Sequence, residues 1–128
     1  ELAEAMIADG ADVIVGSLNL GMLGIFEAAK NSDIPVKVVA KYTDKSSFAE
    51  ENYVTSVLYD FEGPLTDIVG EIVSGVPGGY YPLGFDTGVA LQSPLLNADE
   101  ETSAALETII AGLLDGTIEV VKNVEAIE

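Results

Sequence analysis

Three short segments carry the residues whose types and spacing could do chemistry. "GSLNLG", residues 16–21, sets Ser17 and Asn19 between Gly16 and Gly21, so side-chain hydrogen bonds and closely approaching backbone are offered together. "AKYTDK", residues 40–45, supplies Tyr42 to stack on a flat ring and Asp44 to accept from a hydroxyl or an amine. "TSVLYDFEGP", residues 55–64, places Tyr59 and Phe61 around Asp60, and alternation along a strand sends both rings to one side and the carboxylate to the other. Stacking and edge-reading hydrogen bonds are the chemistry of binding a small planar molecule. Each segment also has a plainer reading, as a tight turn, a solvated loop and a pair of core aromatics respectively. Asp44 and Asp60 could instead be paired carboxylates of a metal-assisted, flavodoxin-like enzyme, although no base or nucleophile stands beside them. Gly21 to Gly24 is G-x-x-G and falls short of the dinucleotide fingerprint, so no nicotinamide or flavin cofactor is expected.

Composition narrows the choice. The 128 residues are 48% apolar, enough for one domain with its own core over residues 1–128. Cysteine and histidine are both absent, which removes thiol nucleophiles, Ser-His-Asp triads and the usual zinc sites, so the sequence predicts no catalytic residue and no metal ligand. Twenty-two acidic residues face five lysines, for a net charge of −17 that repels phosphate backbones, and nucleic acid is not an expected partner. Solubility is the plain reading of this charge, and a high-salt or acidic habitat is the sharper alternative. The lack of cysteine fits an extracytoplasmic protein. No apolar run reaches the length of a membrane span, and a start at Glu1 inside a helical pattern is what part of a longer precursor would show.

The elements that must position these segments follow from periodicity. A helix is predicted over 1–9 with Leu2, Ala5 and Met6 on one face and Gly10 as its cap, then a buried strand in "DVIVG", apolar on both faces. Met22, Ile25, Phe26 and Ala29 repeat at helical spacing up to the Asn31 to Asp33 region, and "VKVVA", 36–40, is the next strand. Residues 41–52 read as a surface excursion and 53–59 as a third strand. Over 64–75, Leu65, Ile68, Val69, Ile72 and Val73 share a helical face, with Pro64 suited to the first turn. The Gly- and Pro-rich stretch 75–94 suggests a twisted hairpin or an edge segment. Residues 97–116 form a capped helix with acidic first-turn residues, and 117–128 a last strand or tail. Alternating strands and helices predict an α/β domain with a mostly parallel sheet and helices on both faces, in which ligands collect beyond the carboxyl ends of the strands.

In their order and spacing, "GADVIVGSLNLGMLGIFEAAK", "NYVTSVLYDFEGPLTDIVGEIVSG" and "LLDGTIEV" resemble segments of the basic membrane protein family, the receptor lipoproteins of ABC importers for purine nucleosides and related bases. The resemblance covers nearly the whole chain and implies the C-terminal part of a type I periplasmic binding protein, the N-terminal lobe lying outside it. It further implies a non-catalytic receptor without a cofactor that closes two lobes on its solute, and an importer permease as partner. The membrane would be reached only through a lipid anchor outside this chain. Many members carry G-V-D-x-D-Q at the second strand exit. Counting back from Thr55 and Ser56 puts Tyr42 at its first acid and Asp44 at its second, and Tyr59 where nucleoside receptors often have lysine. The aromatic in "YDFEGP" looks like the branch of the family that includes binders of the free base. Ser17, Asn19, Gly21, Tyr42, Asp44, Tyr59 and Phe61 are therefore the expected ligand-binding residues, for a purine-type ring. A regulatory domain built on the same fold is the other reading.

Overall fold

A computed structural model describes residues 1–120. Its elements run α1 (Leu2–Ala8), β1 (Val13–Val15), α2 (Met22–Lys30), β2 (Lys37–Tyr42), a short 3-10 turn (Ser46–Phe48), β3 (Tyr53–Tyr59), α3 (Glu62–Val73), β4 (Val89–Leu91) and α4 (Glu100–Asp115). The four strands form one sheet in the order β1-β2-β3-β4, with β1, β2 and β3 parallel and β4 antiparallel to β3. This is the expected α/β class with a mostly parallel sheet. The last strand or tail predicted over 117–128 lies mostly outside the described residues, which end in turn and irregular backbone at 116–120.

The core gathers around α2. Met22, Ile25, Phe26, Ala28 and Ala29 of that helix are buried against Ile14, Val38 and Ala40 of the sheet, and α1 packs on α2 through Ala3 and the half-buried Ile7. The face predicted for α1 is thus corrected: Leu2 is 77% exposed, because the small Ala3 is what allows close helix approach. β1 departs from its expectation as well. Ile14 is buried but Val13 and Val15 are 52% and 72% exposed, so one face of the strand is covered among the described residues. Likewise α3 buries Pro64 and α4 Gly112, while most of their apolar stripes stay open. An apolar period marks a face suited to burial without saying what covers it.

Two local differences bear on the strand exits. β2 runs two residues beyond the predicted strand, because Lys41 and Tyr42 continue the parallel ladder opposite Val57 and Leu58. The first residues assigned to the surface excursion therefore sit on the sheet. The Gly-rich stretch resolves as the edge alternative, with Val89 to Leu91 opposite Tyr59 to Val57. Gln92 is stitched to β3: its N–H donates to the Ser56 carbonyl at 3.0 Å, its own carbonyl accepts from Thr55 Oγ1 at 2.9 Å, and its carboxamide oxygen bonds the buried Tyr53 hydroxyl. Burial raises the Tyr53 pKa above the ordinary phenol value. At the far end of β3, Asn97 Nδ2 donates to the Glu50 and Tyr53 carbonyls at 2.7 and 2.8 Å.

Candidate functional site

Because β1, β2 and β3 are adjacent and parallel, their three exits lie at one end of the sheet. Two groupings of side chains form there, and the second exit belongs to both.

The first is aromatic. Tyr59 lies between Tyr42, ring centroids 5.5 Å apart and tilted by 42°, and Phe61, 5.5 Å away and nearly parallel at 19°. Tyr59 and Phe61 come to one side, as the sequence predicts, although β3 ends at Tyr59 and Phe61 is placed by the start of α3 rather than by strand alternation. Tyr42 reaches them from β2 by a backbone turned to φ +80°, a left-handed conformation that is uncommon for a residue with a side chain. The Lys41 ammonium sits 5.5 Å from the Tyr42 centroid and 5.2 Å from that of Tyr59, within cation–π range. Its hydrogen bond to Tyr59 holds Lys41 above the usual lysine range. Phe61 remains 55% exposed, so the stack presents an open ring face.

The second grouping is a cleft of about 380 Å³ between the start of α2 and the 3-10 turn, lined by Asn19, Leu20, Met22, Leu23, Lys45 and Phe48. Phe48 stacks on the buried Phe26 at 6.0 Å, which anchors the turn to the core. Lys45 Nζ donates to the Lys41 carbonyl at 3.0 Å and to Thr43 Oγ1 at 2.8 Å.

The seven expected site residues divide among these places. Tyr42, Tyr59 and Phe61 come together, and Asn19 lines the cleft. Ser17 is exposed and does not line the cleft. Gly21 lines a different hollow toward α1, where a Cβ would stand 3.2 Å from Leu18 Cδ1. Gly16 also serves packing: a Cβ there would strike the Met22 sulfur and stand 2.9 Å from Ile25 Cδ1. Asp44 Oδ1 accepts the Ser46 N–H at 2.8 Å, capping the 3-10 turn, and that bond holds its carboxyl below the usual range. Asp60 Oδ1 accepts the Glu62 N–H at 2.9 Å where α3 begins. Both carboxylates of the enzyme reading are thus engaged with backbone. Among the described residues no group of three or more His, Cys, Asp or Glu comes close enough to hold a metal ion.

Sequence reasoning missed Lys41 as part of the aromatic group and missed most of the cleft: Leu20, Met22, Leu23, Lys45 and Phe48. A signal was available for Lys45, since two of only five lysines fall within "KYTDK" at a strand exit. Nothing distinguishes the apolar lining from ordinary core residues before the turn is folded.

The structure matches an ABC transporter system solute-binding protein from Conexibacter woesei with a TM-score of 0.60 and 19% identity, over 93% of this chain and 40% of that one, a likeness of fold. Basic membrane protein B of Borreliella burgdorferi is 35% identical over 72 residues, 56% of this chain and 21% of the relative. The chain therefore spans about a fifth of that curated relative and two fifths of the solved structure. Residues 1–108 match the family described as Bmp, ABC transporter substrate-binding protein PnrA-like. The chain belongs to the Bmp family of binding proteins, not enzymes.

Proposed function

We propose that the chain is the C-terminal part of an extracytoplasmic, lipid-anchored receptor that delivers a purine nucleoside or free purine base to an ABC importer permease. The observation that carries this reading is the convergence of three parallel strand exits, with a solvent-facing aromatic stack and an apolar cleft at one sheet end. Parallel α/β sheets bind ligands at that end. Tyr42, Tyr59 and Phe61 supply stacking area, and Ser17, Asn19 and Asp44 supply hydrogen bonds to a ring edge or a sugar hydroxyl. Gly21 shapes the first turn. A second lobe closing by a hinge would complete the enclosure and create the shape a permease reads. No step of that cycle requires proton transfer or a bound metal.

The test is ligand-dependent thermal stabilisation of the full-length receptor with adenine, adenosine, hypoxanthine, inosine and guanosine. A ligand present at 100-fold over its Kd should add about 2.7 kcal/mol to the folded state. Absence of a shift with every purine would retire the purine assignment.

A further inference from the structure

We propose that the cleft between the start of α2 and the 3-10 turn is a subsite for a planar solute bearing an oxo or oxyanion group, and that Lys45 selects for it. This deepens the receptor reading, on which its solute class rests.

Three observations support it. The cleft walls are mostly apolar: Leu20, Leu23 and Phe48 offer exposed low-polarity surface around the buried Met22, in a volume suited to a heterocycle, and the polar lining is Asn19 and Lys45. Lys45 is half-buried, and its ammonium is oriented by two neutral acceptors, the Lys41 carbonyl and Thr43 Oγ1. An ammonium has three N–H donors, so one remains for a ligand in the cleft. Among the described residues no carboxylate lies within ion-pair distance of Lys45; the two ion pairs found are the α-ammonium of Glu1 with the Glu4 carboxylate and Lys30 with Glu27. The nearest acid in sequence, Asp44, is committed to the Ser46 N–H.

A fixed, unneutralised cation is unusual in a chain of net charge −17, where carboxylates are abundant. Lys41, four residues earlier, is held on the Tyr42 and Tyr59 rings. The second exit therefore carries two lysines against one carboxylate, Asp44, in an otherwise anionic molecule. A keto or oxyanion oxygen accepts from such a group, whereas an exocyclic amino group would set donor against donor. Within the purines this favours 6-oxo rings over 6-amino rings.

Two arms test this. Calorimetry on the full-length receptor should show hypoxanthine binding at least about tenfold tighter than adenine, and Lys45→Met should erase that preference by weakening hypoxanthine while leaving adenine within about twofold. Equal losses for both, or no change in the ratio, would overturn the selection. The second arm is independent of purines. In the 128-residue chain, millimolar benzoate should shift the methyl resonances of Leu20, Met22 and Leu23, with the shifts lost in Lys45→Met and absent with aniline, which offers an amino group and no oxygen acceptor. No benzoate response, or one that survives Lys45→Met, would overturn the subsite. Failure of every purine together with a Lys45-dependent benzoate response would sink the purine reading alone.

Discussion

Tyr42 holds its ring on Tyr59 at the expense of a left-handed backbone, φ +80°, a conformation that costs a residue with a Cβ about 1–2 kcal/mol. Strain of this kind persists where the surroundings over-determine it, and a strand exit bearing an aromatic stack is such a place. Tyr42→Gly should relieve the backbone while deleting the ring. Thermal unfolding should therefore show stability within about 1 kcal/mol of the parent, while ligand affinity falls; an affinity that survives the change would remove Tyr42 from the site. Gly16 tests the opposite situation. With Met22 and Ile25 already filling the space a Cβ needs, Gly16→Ala should cost about 1–3 kcal/mol, read as a lowered urea midpoint at unchanged slope. The sequence marks Gly16 as a place for a ligand to approach; the structure gives that space to the α2 side chains.

Among elements, α4 shows how a helix terminus couples to pH. Asp99 caps it by accepting the Thr102 N–H at 2.7 Å, and its bonds to Thr102, side chain first and then backbone, hold the carboxyl below the usual range. Thr117 does the same for Asp115, and the Ser46 N–H for Asp44. A carboxyl depressed on folding contributes stability at pH above its unfolded value near 3.8, and that contribution is lost as pH falls through the folded value. Asp99→Asn keeps a good cap without the titration. Its melting temperature should stay near the parent's at neutral pH and fall less steeply below pH 4, measured by circular dichroism; an identical acid limb would show that the cap carries no such linkage. The Asn or Asp cap of this helix was legible in "NADEETS", as was the edge strand in the Gly-rich stretch, because both rest on local backbone chemistry. The boundary of β2 was not, since Lys41 and Tyr42 are polar or aromatic residues placed in a strand by pairing with β3, a long-range term that no local pattern carries.

At the scale of the whole molecule, the order of strands and helices and the grouping of Tyr59 with Phe61 could be read from periodicity. The cleft could not, because Leu23 and Phe48 line it from positions 25 residues apart in the chain and each alone reads as ordinary apolar filling. The core is also lopsided, packed between α2 and the sheet while α3 leaves Leu65, Ile72 and Val73 more than half exposed. An anionic surface of −17 opposes contact between copies of a molecule with such patches. The ring contact between Tyr42 and Tyr59 carries a practical benefit. The chain has no tryptophan and only five tyrosines, so ultraviolet emission from this pair would go unmasked by a brighter fluorophore. Anything that slid between or quenched those two phenols would announce itself without a label.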